Sequence, residues 1–262
     1  MEMVSAVKMR RAQTAVLASR PYSERMAGLI GALAAHAEAG VHPLLQSRPV
    51  EKIGILLITS DRGLCGSLNV NAVRQAAKLL LDYPDASNVY CIGRRGCDWM
   101  ARHSANVAAD FSDIGDRPSL SDVTPVARLI RDLYTAGEVD AIDIVYNQYR
   151  STTVQRAVRE RLLPIEPRAE AGRHFADFIY EPSLEQVLRE LLPRYLEVTI
   201  YQALLESRAS EHSARMIAMH NATENAQDVI QQLTLNYNKA RQSGITSEIL
   251  EIASGAGALA ES

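Results

Sequence analysis

The 262-residue chain has little cysteine: Cys65, Cys91 and Cys97 are all it carries. An odd count at scattered spacing argues against a disulfide framework and fits a reducing compartment. No CxxC or Cys/His spacing suggests zinc. No apolar run approaches the ~20 residues that cross a bilayer. The first residues lack the charged-then-apolar order of a secretory leader. Charge of one sign is not in excess either. With 28 Lys and Arg against 31 Asp and Glu, the formal charge is −3, so no global field favours nucleic acid. Phosphate-binding signatures are missing as well. Ser60-Asp-Arg-Gly-Leu-Cys-Gly-Ser67 follows an apolar run and precedes a helical pattern, but it is neither GxxxxGK[ST] nor GxGxxG. It reads as a tight strand-to-helix turn, with glycine where the backbone needs it.

What is present is helix at both ends. From about Pro182 to Leu259 the pattern is that of one long amphipathic helix. Met216, Met219, Thr223, Ala226, Ile230, Leu233, Tyr237, Ala240, Gly244 and Ser247 step by three and four, as a heptad seam does. Half of that seam is small or polar, which suits a slender pair that also faces something else. At 1.5 Å per residue the segment would run roughly 110 Å, against about 30 Å for a small domain. It should project as a lever, shaft or docking arm. Ser183 with Gln186 resembles a capping box at its start, and Pro193 is expected to kink its first turns or mark a short separate helix. A second helix is predicted from Met1 to about Ala39, bent at Pro21 and ended by Gly40 and Pro43. It begins without a capping residue, as if in mid-helix. Lys8, Arg10, Arg11, Arg20 and Arg25 against Glu2 and Glu24 make it basic, suited either to solvent or to an acidic partner surface.

Between the helices, strand and helix signals alternate. Ile53–Ile58 and Val89–Ile92 are short apolar runs typical of buried strands. Leu68–Leu81 reads as a helix stopped at Tyr83-Pro84, and Asp122–Ala136 as a helix ended by Gly137. Ala141–Tyr146 is a third strand and Thr153–Leu162 a fourth. The order implies an α/β sheet with right-handed crossovers. The expected division is 1–45 (N-terminal shaft helix), 46–181 (α/β domain) and 182–262 (C-terminal shaft helix). No set of residues here builds an enzyme site. Cys65 would need a base and an orienting group, and His103 and His174 carry no motif. Gly93-Arg-Arg-Gly96 reads as a solvated loop. Met216 and Met219 are packing residues by their spacing, and His212 and His220, eight apart, are not at ligand spacing.

Long stretches resemble one family, the gamma subunit of the rotary proton-translocating ATP synthase in its bacterial form. They are Met1–Ala12 (MEMVSAVKMRRA), Ser19-Arg-Pro-Tyr22, Ile58–Asn69 (ITSDRGLCGSLN), Ala203–Met216 (ALLESRASEHSARM), Asn221–Ala226, Leu233–Thr246 (LTLNYNKARQSGIT) and Glu248–Ile252. The resemblance covers essentially the whole chain. It implies a long antiparallel two-helix coiled coil formed by the chain termini, with an inserted Rossmann-like α/β domain. It also implies a central-stalk rotor: a peripheral subunit on the cytoplasmic face of the bacterial plasma membrane. Such a rotor couples proton flow through the ring of c subunits to conformational cycling of the catalytic beta subunits. Its partners would be the alpha and beta subunits, epsilon and the c ring. No cofactor, metal, nucleotide or nucleic acid is expected on the chain itself. Two other readings use the same residues: a small-molecule-binding α/β domain with a helical dimerisation arm, and an α/β enzyme using Cys65. Neither explains the terminal motifs.

Residue by residue, the resemblance implies beta-subunit contacts at Arg241, Gln242 and Thr246, with Arg215, Met1, Lys8 and Arg11 also facing beta. It implies rotor-ring and epsilon contacts at Tyr180, Glu181 and Glu185. The chain departs from the family in two ways. The family runs about twenty residues further upstream, between five and six helical turns at 3.6 residues each, so part of the seam is expected to lack a partner. Ser67 and Gly244 stand where Gly and Ala are common, and Gly244 costs its helix about 1 kcal/mol. The redox insertion of the chloroplast forms is absent.

Overall fold

The computed structural model describes residues 1–36, 42–84, 87–103, 105–166, 181 and 183–260. In chain order the elements are α1 (Glu2–His36), a 3-10 turn (Pro43–Leu45), β1 (Ile53–Ile58), α2 (Leu68–Asp82), β2 (Ser87–Ile92), α3 (Arg94–Arg102), β3 (Val107–Asp110), α4 (Leu120–Thr135), β4 (Ala141–Tyr149), β5 (Gln155–Leu163) and α5 (Leu184–Ala260). The chain divides into two units, Met1–Ala218 and Met219–Ser262.

In the first unit the strands form one sheet of order β3-β2-β1-β4-β5. All neighbours run parallel except β5, which is antiparallel to β4. β1 is buried at all six positions, which is why it reads as an unbroken apolar run rather than an alternating one. Ile55 and Leu57 pack under α2 and α3 with Ala72, Val73, Ala76, Leu79, Val89 and Met100. Leu56 and Ile58 face the opposite layer of α1, α4 and the start of α5, with Ile30, Leu33, Val126, Ile130, Leu188, Leu192 and Leu196. Fully burying one such side chain is worth about 1.5–3 kcal/mol. β5 is locked by charge: Asp143 on β4, 1% exposed, accepts from Arg159 Nε at 2.7 Å and Arg161 Nε at 2.5 Å.

Two sequence expectations need correction. Gly93–Gly96 is not a solvated loop but the start of α3, and the short strand β3 behind it had no apolar run to announce it. α5 is one helix through Pro193 rather than a separate short helix followed by a long one. Leu188, Leu192 and Leu196, all buried, anchor both sides of the proline and outweigh the one backbone bond it removes. α1 likewise stays one helix through Pro21. The expected helix end at Ala39 and Gly40 lies outside the described residues.

The expected helix pair is present within the first unit. α1 does run antiparallel to α5: Ser19 Oγ donates to Gln202 Oε1 at 2.6 Å, Arg20 reaches Glu206 at 3.5 Å, and Val16 packs on Leu205 and Ala209. That contact lies on the part of α5 that belongs to the first unit. Met216 and Met219 are half-buried, while every side chain from His220 to Ser254 is exposed. The apolar positions there, among them Ile230 (62% exposed), Leu233, Tyr237 and Ile249, form a stripe open to solvent.

Candidate functional site

Strand order reverses between β1 and β4, because the first crossovers carry the chain to β2 and β3 and α4 brings it back. In doubly wound sheets the crevice at the carboxyl ends of the strands at that point receives ligands. Here α5 fills it with its own polar side chains. Ser210 Oγ donates to the Asn147 carbonyl at 3.0 Å, and Ser207 Oγ accepts from the Asn147 N–H at 3.3 Å. Arg208, whose side chain is 5% exposed, binds Glu211 at 2.9 Å, Asp61 at 3.1 Å and the Ile114 carbonyl. Burial alone would lower the Arg208 guanidinium, but Glu211 and Asp61 together raise it above its ordinary value. Arg215 continues the chain of bonds, donating to the Gly63 carbonyl at 3.2 Å and to Glu211 at 2.8 Å. The two motifs Ile58–Asn69 and Ala203–Met216, far apart in sequence, therefore meet through paired charges.

The anion-binding potential of the neighbouring helix terminus is used up within the chain. At the start of α3 the Arg94 N–H donates to the Asp61 carboxylate at 3.1 Å, the Arg95 N–H to the Ser60 carbonyl at 3.1 Å, and the Gly96 N–H to Thr59 Oγ1 at 2.8 Å. Asp61 thus sits where a phosphate would sit at a helix N-terminus. Gly93, at φ +99°, is obligatory: a Cβ there would lie 2.2 Å from the Thr59 carbonyl oxygen. Ser67, at φ −84°, needs no glycine.

Cys65 is buried beside this turn. Asn69 Nδ2 donates to its sulfur at 3.3 Å, and burial raises the thiol above its ordinary value. A raised thiol is a poor nucleophile. His103 stacks on Trp99 at 3.8 Å between centroids, and His174 lies outside the described residues.

On the α1 side, Lys8 Nζ binds Asp116 at 2.5 Å, and His212 Nε2 lies 3.8 Å from the same carboxylate. The Lys8 bond holds Asp116 below its usual value, while burial lowers His212. Of the residues singled out from sequence, Arg215 and Lys8 thus belong to this polar joint. Met1, just ahead of α1, and Arg11 on it are exposed. Arg241, Gln242 and Thr246 are exposed on the far part of α5, where Thr246 Oγ1 donates to the Gln242 carbonyl at 2.8 Å. Glu181 is exposed, Glu185 pairs with Arg189 at 2.8 Å, and Tyr180 lies outside the described residues. Asp61, Asp116, Asn147, Ser207, Arg208 and Glu211 were not foreseen. Their signal was available: between Glu206 and Ser213 a helix face that should be apolar is serine and charge.

The chain's similarities to known proteins agree with this architecture. A family model described as ATP synthase matches residues 1–259. The ATP synthase gamma chain of Roseiflexus sp. (strain RS-1) is 48% identical, over 100% of this chain and 92% of that one. The chain belongs to the ATP synthase gamma chain family. The gamma chain of Dehalococcoides mccartyi (strain ATCC BAA-2266) is 47% identical, over 99% of this chain and 92% of its own length. In fold, the chain is similar to a chain of the Tetrahymena thermophila mitochondrial ATP synthase, from a cryo-EM structure of its central stalk and c ring. The TM-score is 0.67 at 24% identity, covering 85% of this chain and 97% of that one. A chain of the Euglena gracilis mitochondrial enzyme gives 0.62 at 18% identity, over 98% and 92%. The family's α/β domain and long C-terminal helix are the ones described above. Among the described residues no helix is long and apolar enough to cross a membrane.

Proposed function

We propose that the chain is the central-stalk rotor subunit of ATP synthase. It transmits rotation driven by proton flow through the c ring to the catalytic beta subunits and has no catalytic site of its own. The observation that carries this is the polar joint. A rotor domain must be torsionally locked to its shaft. Apolar packing alone is non-directional and lets surfaces slide, whereas charge-assisted hydrogen bonds are directional and fix orientation. Arg208, Asp61, Glu211 and Arg215 supply such a lock where a related fold would hold a ligand. Filling that crevice is also what argues against a nucleotide site.

In this reading residues 1–45 and 182–262 form the shaft and 46–181 the domain that rests on the rotor. Arg241, Gln242 and Thr246 meet the beta subunits, with Met1, Lys8, Arg11 and Arg215 toward the same ring of alpha and beta. Tyr180, Glu181 and Glu185 face epsilon and the c ring. The exposed stripe from Val229 to Ile252 suits a helix destined to be enclosed by partners. The assembly would sit peripherally on the cytoplasmic face of a bacterial plasma membrane.

The test is coupling in vesicles carrying the whole reconstituted complex. Arg208→Met should lower proton pumping per ATP hydrolysed several-fold while hydrolysis persists. An unchanged ratio, with the variant chain assembled and folded, would sink the torque-lock reading. ATP titrated onto the purified chain should show no saturable binding, and co-expression with alpha and beta should yield a complex.

A further inference from the structure

α2 and α3 cover one face of the sheet together, and the outer surface between them is hollowed. Val70, Val73, Arg74 and Ala77 stand at i, i+3, i+4 and i+7 on α2, so they share one helix face. Arg95, Trp99 and Arg102 stand at i, i+4 and i+7 on α3 and share another. The two faces line a cleft of about 410 Å³, within the roughly 300–1,000 Å³ of small-molecule sites. Its lining is apolar between the arginines. Val73 is buried, Val70 is 56% exposed, and Trp99 is half-buried with His103 stacked on it at 3.8 Å.

The charge around that lining has one sign. Arg74, Arg95 and Arg102 border the cleft, and no acidic residue does among the described ones. The two helices carry Arg74, Lys78, Arg94, Arg95 and Arg102 against Asp82 and Asp98. Arg94 is spent on Asp113. The three arginines of the cleft have no carboxylate partner among the described residues. Two of them are nonetheless held in place. Arg102 Nε donates to the Asp98 carbonyl at 2.9 Å, and the Arg95 guanidinium lies against Gly63, where a Cβ would come within 3.1 Å of its Nη2. Guanidinium forks are matched to carboxylate or phosphate oxygens, and apolar surface beside them gains from being taken out of water.

We propose that this cleft binds a small organic anion with an apolar body. Its carboxylate is held by Arg74, Arg95 and Arg102, and its body covers Val70, Ala77 and the Trp99 ring. A purely apolar ligand would leave the arginines without a counter-charge, and an inorganic anion would leave the apolar lining wet. An anionic amphiphile answers both. The inference is independent of the rotor reading.

Trp99 is the chain's single tryptophan, so its fluorescence reports this cleft and not the exposed stripe of α5. Octanoate titrated into the full chain should give a saturable change in Trp99 emission. The double variant Arg74→Gln/Arg95→Gln should weaken that binding by about tenfold, as expected for lost bonds to a charged group. Both side chains are exposed, so melting of the variant should match the native chain. Arg128→Gln, exposed on α4, should leave octanoate binding unchanged. Uncharged octanol should bind more weakly by a similar factor. No saturable response, equal binding by the double variant, or octanol binding as well as octanoate would each overturn the proposal; the octanol arm needs no variant. An oligo-glutamate peptide that shifts Trp99 where octanoate does not would make this face a docking surface for an acidic protein, and would overturn the small-ligand site.

Discussion

The two parts of α5 share one helix and little else. From Leu184 to Ala218 the helix buries Leu188, Leu192, Leu196, Ile200 and Leu204 and then, one turn on, a run of serine and charge from Glu206 to Ser213. From His220 to Ser254 it buries nothing, although Ile230, Leu233, Ile245 and Ile249 keep an apolar stripe. Helix propensity and periodicity are similar in both. The difference is what each part is for: one is a component of a folded core, and the other has apolar residues that the chain's own fold does not use. A long helix is therefore not a uniform structural unit. Its energetics are set turn by turn by what covers it.

The sharpest break in that comparison is Arg208→Ala. It removes the guanidinium that joins Glu211 to Asp61 in the crevice and leaves Glu211 with Arg215 alone and Asp61 with the Arg94 N–H. Removing one partner of a buried pair costs about 3–5 kcal/mol, and chemical denaturation of the purified chain should show a loss of that order. A loss below about 1 kcal/mol, the range of exposed pairs, would mean that the crevice is wetter than its burial indicates. Leu196→Ala should come next, at about 2–5 kcal/mol for a buried leucine truncation. The same truncation at Leu233, 61% exposed, should stay within about 0.5 kcal/mol. Comparable losses at both positions would remove the distinction between the two parts.

A smaller effect belongs to pH. Burial lowers His212 from its ordinary value of 6.5, against the raising influence of Glu211 and Asp116 and with the help of Arg215 and Lys8. The unfolded chain then binds a proton at this site more readily than the folded one. Stability is intact above pH 6.5 and falls as the pH drops below it, by up to about 1.4 kcal/mol per pH unit until the folded group titrates. Asp116, also lowered, acts in the same direction but nearer its ordinary 3.8. Glu206 is raised and works the other way. Denaturation midpoints between pH 7 and 5 should therefore slope less steeply for His212→Gln than for the native chain. Parallel slopes would show that His212 is not the group responsible.

The sequence made the sheet's central strands and both terminal helices legible, because Ile53–Ile58 and Val89–Ile92 are unbroken apolar runs, Ala141–Tyr146 is apolar but for Asp143, and the ends have helical period. β3 was not legible: Val107–Asp110 is four edge residues, Val-Ala-Ala-Asp, alternately half-buried and exposed, too short and small to give a signal. The seam from Met216 to Ser247 has helical period, yet its side chains from His220 on are exposed, since period reports a face and not its occupant. The joint was hidden for the opposite reason. Buried Arg208, Glu211 and Ser210 look like solvent-facing residues to any pattern that equates polarity with exposure. The available signals were the serine-and-charge face from Glu206 to Ser213 and the presence of Asp61 and Arg208 in motifs of the same family.

The smallest effect on folding is expected where the functional effect should be large. Arg241 and Gln242 are exposed on the far part of α5, so replacing both by Ala removes no buried contact, and Ala is itself the best helix former. The double variant should melt within a degree or two of the native chain, as surface changes away from buried features usually do. If those side chains meet the beta subunits, however, the planar guanidinium is suited to capturing a carboxylate there, and its loss should show only on assembly. The assembled complex should then synthesise and hydrolyse ATP more slowly while retaining its subunits. The pair of measurements separates the cases. A lowered melting point would make the far part of α5 structural within the chain and erase its contrast with the near part. Full activity with unchanged melting would leave the contrast standing and move the beta contacts elsewhere along the exposed stripe.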